Sequence, residues 1–226
     1  MSLINNLEAV LFDLDGTLID TADEFVIVVQ RLRQEHGRGP MDDALIRSNV
    51  SNGARALTTL ALDIPEDSSE HEPQRLRLLD IYSEVLGTSA TLYPGIQSLL
   101  SALSELGIGW GIATNKPRPY TEPLLARLGI NPPPGSVVCP DDVNHRKPHP
   151  ESLYLNCTQL GCTPARTLYV GDHQRDIEAG RRAGMRTVAA LYGYIEAHDD
   201  PAQWGADYSV ASSRDLQALI LANQEA

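Results

Sequence analysis

The chain has 226 residues, 42% hydrophobic and 21% charged, enough for one large or two modest domains with the balance of a soluble globular protein. Its net charge of −12 argues against nucleic acid or an anionic membrane as partner. No apolar run approaches the ~18 residues that span a bilayer. The opening residues lack the basic flank and long apolar stretch of a signal peptide. The three cysteines, Cys139, Cys157 and Cys162, show no metal-ligand spacing. A cytoplasmic protein with reduced thiols is expected.

The first element is the apolar run Ala9-Val10-Leu11-Phe12, which reads as a buried strand. Asp13-Leu14-Asp15-Gly16-Thr17 follows it directly. Strand ends are where α/β proteins place ligands. Two carboxylates this close repel unless a cation or a shared proton intervenes. The pair therefore predicts a metal or a divided acid/base role.

From 18 to 91 there is helical patterning and no convincing strand. Asp20 is expected to help start the first helix, and Thr21-Ala22-Asp23-Glu24 has the form of a capping box. Phe25, Val28, Val29 and Leu32 continue it at i, i+3, i+4, i+7. Further helices are expected over 42–47, 54–62 and 74–86, with an acidic loop at 65–70. So long a helical insert after the first strand predicts a separate small domain above the strand ends. Ser51-Asn52-Gly53-Ala54-Arg55 is a glycine-containing loop leading into a helix, and Arg55 is the candidate for a substrate carboxylate.

Tyr93-Pro94-Gly95 is a turn signal. Strand-like runs at 110–113, 136–139, 167–170, 187–191 and 208–210 then alternate with apolar helical stripes, such as Ile96, Leu99, Leu100 and Leu103. This alternation predicts a mostly parallel sheet covered on both faces. The strands end in polar groups: Thr114-Asn115-Lys116, then Lys147 in a loop, then Asp172 to Asp176. Lys116 and Lys147 are the only lysines of the chain. Lys116 is expected at a rim or in packing, while His149 and His173 have no expected role. The inventory suits phosphoryl transfer with a hard cation, because Mg²⁺ prefers oxygen ligands and a transferring phosphoryl group needs its charge neutralised. An aspartate can be the nucleophile.

Asp13-Leu14-Asp15-Gly16-Thr17, Thr114-Asn115, Lys147 and Gly171-Asp172 through Asp176 resemble, in order and spacing, the four motifs of the haloacid dehalogenase-like phosphohydrolases. The resemblance covers essentially the whole chain. It implies an α/β fold, a Rossmann-like parallel core at 1–17 and 92–226 with a small α-helical cap inserted at 18–91, as in the phosphoglycolate phosphatase-like branch. It implies Mg²⁺ and an aspartyl-phosphate intermediate. Asp13 would attack phosphorus, and Asp15 would protonate the leaving alkoxide and then deprotonate water. Asp13, the backbone carbonyl of Asp15, and Asp172 would hold Mg²⁺, with Asp176 as ligand or support. Thr114 would hydrogen-bond a phosphate oxygen and Lys147 would pair with Asp13 and the phosphate. Gly16 would let the backbone approach the phosphate, with Thr17 and Asn115 also on the substrate side.

Within the family, Asp15 argues for a phosphatase, since a halide leaving group needs no proton. The insert lacks the lysine that phosphonate cleavage requires. A phosphosugar mutase of the same fold shares most of these motifs. A receiver domain is about half this length, and a non-catalytic phosphate-binding module conflicts with every catalytic position being filled. The leading expectation is a phosphoglycolate phosphatase-like enzyme acting on a small phosphomonoester, as monomer or homodimer. Segments 51–55, 114–117, 139–141, 191–195 and 204–207 also resemble a subgroup that hydrolyses N-acetylmuramic acid 6-phosphate in cell-wall recycling. Both substrates carry a carboxylate and a phosphate.

Overall fold

The computed structural model describes residues 6–222. A six-stranded sheet is built from β1 (Ala9–Phe12), β4 (Gly109–Ala113), β5 (Ser136–Val138), β6 (Thr167–Gly171), β7 (Arg186–Ala190) and β8 (Tyr208–Val210). Its order is β5-β4-β1-β6-β7-β8 and every pairing is parallel. The strands fall where the apolar runs predict, with ends shifted by a residue.

Successive strand residues point to opposite faces. Val10 and Phe12 of β1 join one core with Leu168 and Val170 of β6, whereas Leu11 and Tyr169 join another. The first core takes Ile96, Leu99, Leu100 and Leu103 of α5 (Ile96–Glu105), Leu124 of α6 (Arg118–Leu128), and Leu216 and Ile220 of α9 (Ser213–Leu221). The second takes Leu153 and Cys157 of α7 (Glu151–Leu160) and Ala179 and Ala183 of α8 (Gln174–Ala183). Both faces are thus covered, which explains why the strands read as continuous apolar runs. The doubly covered parallel sheet is the α/β, Rossmann-like arrangement.

The segment after β1 folds into α1 (Ala22–Glu35), α2 (Asp43–Ser48), α3 (Gly53–Leu62) and α4 (His71–Val85). It leaves and rejoins the sheet through a short antiparallel pair, β2 (Ile19–Asp20) against β3 (Thr91–Leu92). The sequence shows no strand here because a two-residue ribbon is too short for a period to appear.

The start of α1 differs from the expected capping box. Thr21 makes no side-chain cap; its Oγ1 donates instead to Asp15 Oδ1 at 2.7 Å. Asp20 supplies the cap, accepting from Ala22 N at 3.0 Å, as expected of it. Glu24 is fully buried, and its Oε1 accepts from Ser89 N and Ala90 N at 3.2 and 3.1 Å. Residues that look like a local helix start therefore tie the insert to its return segment and to the carboxylate at 15.

Candidate active site

Three adjacent strands deliver the chemistry to one edge. Asp13 follows β1, Thr114 follows β4 and Asp172 follows β6, and these strands are neighbours in the sheet. The backbone continues the ladder into the site, with Asp13 N donating to Val170 O at 2.9 Å and Thr114 N to Val138 O at 3.1 Å.

Asp13, Asp172 and Asp176 bring carboxylate oxygens within 4.8 Å of one another. Asp172 and Asp176 are fully buried. Each is held by donors. Asp172 Oδ1 accepts from Thr17 Oγ1 at 3.1 Å, and its Oδ2 accepts from Tyr194 N at 2.8 Å and Ser51 Oγ at 3.2 Å. Asp176 Oδ1 accepts from Tyr169 Oη at 3.1 Å, and Oδ2 from His173 N at 3.1 Å. Asp176 is thus both the N3 member of the α8 capping box and a member of the carboxylate cluster.

Among the described residues, Lys147 is the cation inside this cluster. Its Nζ donates to Asp176 Oδ1 at 2.7 Å, Ala113 O at 2.8 Å and Tyr169 Oη at 2.9 Å. It also lies 2.8 Å from Asp13 Oδ1, but without hydrogen-bond alignment, so that buried oxygen keeps no hydrogen-bond partner among the described residues. One ammonium does not neutralise three carboxylates. Burial pushes Asp172 up to about 8, and the charges of Asp13 and Asp176 add to the effect. Burial likewise pushes Asp13 to about 6, with Lys147 pulling against it. Burial disfavours the Lys147 charge, but Asp13 and Asp176 hold the ammonium above its usual range. An excess of buried carboxylate oxygens over the ammonium of Lys147 fits a hard divalent cation.

Two glycines make room. Gly16 has φ +80°, and a Cβ there would stand 2.1 Å from Asp172 Oδ2. A Cβ on Gly193 would stand 2.2 Å from Asp172 Cβ. Gly16 therefore admits a carboxylate between two loops. Neither Gly16 nor Thr17 borders the cavity described below, and Thr17, fully buried, braces Asp172.

Between the strand ends and the insert lies a cavity of about 630 Å³. Asp13, Asp15, Thr114, Lys116 and Lys147 border its core side, and Phe25, Ser51, Arg55 and Tyr82 border its insert side. Thr114 Oγ1 accepts from Lys116 N at 3.0 Å, leaving its own hydrogen to donate. Asn115 is spent on positioning: its amide donates to Lys147 O at 3.1 Å and accepts from Lys147 N at 3.2 Å. Arg55 borders the cavity, but its guanidinium turns to Glu66 and Glu72 at 3.3 and 3.9 Å. Arg146 borders the same cavity with no ion-pair partner among the described residues.

Lys116 departs from its expected rim or packing role. It is buried, and its Nζ contacts Asp15 Oδ1 at 2.9 Å and Oδ2 at 3.2 Å. The available signal was the scarcity of lysine and its position next to Thr114-Asn115. His173 caps α8, accepting from Arg175 N at 3.1 Å, and stacks on Trp204 with centroids 6.4 Å apart. Burial, reinforced by Arg175, holds its imidazole down at about 4. His145, His149 and Glu151 form a second, more exposed group of possible ligands outside the cavity. Their polar atoms serve the loop before α7: Glu151 accepts from Asn144 N and His145 N, and donates its own N–H to His149 Nδ1.

The wider likenesses agree with this geometry. The chain is 48% identical over 210 residues to the N-acetylmuramic acid 6-phosphate phosphatase of Pseudomonas aeruginosa, covering 93% of each protein. It is 39% identical over 202 residues to a phosphoglycolate phosphatase of Xanthomonas campestris, covering 89% of this chain and 91% of that one. A crystal structure of a predicted phosphoglycolate phosphatase from Haemophilus somnus superposes with TM-score 0.83 at 27% identity, covering 96% and 99% of the two chains. Residues 10–190, which carry the motifs at 13–17, 114–115, 147 and 171–176, match the haloacid dehalogenase-like hydrolases, and the chain belongs to that family.

Proposed function

We propose that this chain is a Mg²⁺-dependent phosphate monoester hydrolase that works through an aspartyl-phosphate, with N-acetylmuramic acid 6-phosphate as its substrate. The convergence of Asp13, Asp15, Thr114 and Lys147 on one cavity floor carries the reaction class. Asp13 Oδ attacks phosphorus as the ester P–O bond breaks, and Asp15 gives its proton to the departing oxygen. Asp15 then takes a proton from a water that attacks the phosphorus, which frees phosphate and restores Asp13. Thr114 donates its hydroxyl hydrogen to a phosphate oxygen, and Lys147 offsets the negative charge gathered around Asp13. Mg²⁺, held by Asp13, Asp172 and the Asp15 carbonyl with Asp176 beside them, would neutralise charge on the phosphoryl oxygens when bound.

The cavity size favours the larger substrate. About 630 Å³ is the volume of a site for a drug-sized ligand, and a two-carbon phosphoacid leaves most of it empty. Its insert wall is lined by Phe25 and Tyr82 together with Arg55 and Arg75, a mix of apolar and basic groups suited to a sugar ring bearing a carboxylate. The Pseudomonas aeruginosa relative at 48% identity supports the same reading. Phosphoglycolate is the second reading, supported by relatives such as the one from Xanthomonas campestris at 39% identity. The test is kcat/KM on the two compounds side by side with Mg²⁺. A preference for N-acetylmuramic acid 6-phosphate of at least about tenfold, worth 1.4 kcal/mol of transition-state binding, is expected. The reverse preference would assign the chain to phosphoglycolate.

A further inference from the structure

Two buried side chains, Lys116 and Thr21, meet the carboxylate of Asp15. Lys116 Nζ contacts both oxygens of Asp15, at 2.9 and 3.2 Å. Thr21 Oγ1, at the start of α1, donates to Oδ1 of the same carboxylate at 2.7 Å. The ammonium also lies against two rings of the insert. Phe25 of α1 and Tyr82 of α4 have centroids 5.4 and 4.8 Å from Nζ, and they stack on each other at 4.4 Å and 17°. A cation over aromatic faces is attracted by the ring quadrupole, most strongly where water is excluded. Lys147 already serves Asp13, so the reaction as described leaves Lys116 without a task.

We propose that Lys116 is a positioning residue for Asp15, and that Phe25 and Tyr82 make its grip depend on the insert lying over the sheet edge. The proposal rests on the reading of Asp15 as the group that protonates the leaving oxygen. The two carboxylate oxygens are loaded unequally. Oδ1 has two donors, at 2.7 and 2.9 Å, while Oδ2 has one longer contact at 3.2 Å. Oδ2 is therefore the oxygen with capacity for proton exchange. Its O–H bond breaks as the ester P–O bond breaks, and the proton passes to the leaving oxygen. In the second half Oδ2 takes a proton from the attacking water. Lys116 remains an ammonium throughout and transfers nothing. A carboxyl released from this grip rotates, and proton transfer loses its near-attack geometry. Attack by Asp13, held separately beside Lys147, does not depend on that grip.

The test separates proton transfer from attack by varying the leaving group. Lys116→Met keeps an unbranched stem against the two rings and removes the charge. With Mg²⁺ present, the first-turnover rate of alcohol release from an alkyl phosphate such as N-acetylmuramic acid 6-phosphate or 2-phosphoglycolate should fall about 100-fold. On p-nitrophenyl phosphate, whose leaving group needs no proton, the first-turnover burst of p-nitrophenol should fall about 3-fold. Tyr82→Leu should show the same split at smaller size. Asp15→Asn is the control, expected to split the two esters at least as strongly. Equal losses on both esters in Lys116→Met, with the split retained in Asp15→Asn, would overturn the positioning role and leave the Asp15 assignment standing. Loss of the split in Asp15→Asn would overturn that assignment instead. Should Lys116→Met fail to fold, Lys116→Gln supplies the same comparison with a neutral donor.

Discussion

Gly16 and Asp172 lie in such close approach that a Cβ on Gly16 would stand 2.1 Å from Asp172 Oδ2. The loop after β1 and the loop after β6 can share this space only because residue 16 has no side chain and adopts φ +80°. Gly16→Ala should therefore displace the Asp172 carboxylate. The expected cost is about 1–3 kcal/mol of stability, with loss of most turnover and a weakened response to Mg²⁺. Thermal unfolding with and without Mg²⁺, beside a kcat measurement, checks it. An unchanged Mg²⁺ shift would contradict the predicted displacement.

Among the described residues, Lys147 is the cation paired with the carboxylates of Asp13 and Asp176. Lys147→Met leaves those buried charges uncompensated, and breaking a buried pair this way costs about 3–5 kcal/mol. Turnover should disappear and Tm should drop. Lys147→Arg should not restore activity, because Nζ fits between Ala113 O and Tyr169 Oη as a compact donor. Recovery of wild-type turnover in the arginine variant would show that charge alone suffices.

The carboxylate cluster links stability to pH. Asp13 and Asp172 rise from 3.8 to about 6 and about 8 in the fold. The folded state then binds more protons than the unfolded chain, so the metal-free protein loses stability as pH rises from about 4 to about 8. On the proposed reading Mg²⁺ would bind the ionised form and reverse this. Its effect on Tm should be larger at about pH 8 than at about pH 5. EDTA should abolish turnover and excess Mg²⁺ should restore it. Asp13→Asn should flatten the lower part of the metal-free pH dependence while abolishing turnover, measurable by differential scanning fluorimetry across pH.

Tyr194 ties the loop after β7 to the entrance of the insert. Its hydroxyl accepts from Thr21 N at 2.6 Å and donates to Asp20 Oδ1 at 2.8 Å. Tyr194→Phe leaves a buried N–H unsatisfied, at a cost of about 1–3 kcal/mol. The loss should localise: amide exchange of the start of α1 should speed more than that of β1. Uniform acceleration would assign Tyr194 to general packing.

Much of the fold can be read from sequence because its signals are local. The apolar runs of β1, β4 and β6 and the stripes of α5 and α9 repeat with strand or helix period, and both faces of the sheet are buried. The ribbon of Ile19–Asp20 with Thr91–Leu92 is illegible because its partners are far apart in the chain and too short for periodicity. Thr21 and Glu24 mislead for a related reason. Their spacing matches a local cap, but their side chains found partners outside the helix, at Asp15, Ser89 and Ala90.

The sequence by itself determined which chemical groups this protein commits to its strand ends: paired aspartates after β1, a threonine after β4, a lone lysine after β5, and further aspartates after β6. Strand period and residue chemistry are encoded along the chain, so order and type survive without coordinates. Only the tertiary structure decided which of these groups touch. The order β4-β1-β6 brings Thr114, Asp13 and Asp172 to one edge. The packing of the insert set Lys116 against Asp15 rather than against solvent. Contacts between residues a hundred positions apart depend on how sheet and helices pack, and no local pattern records that.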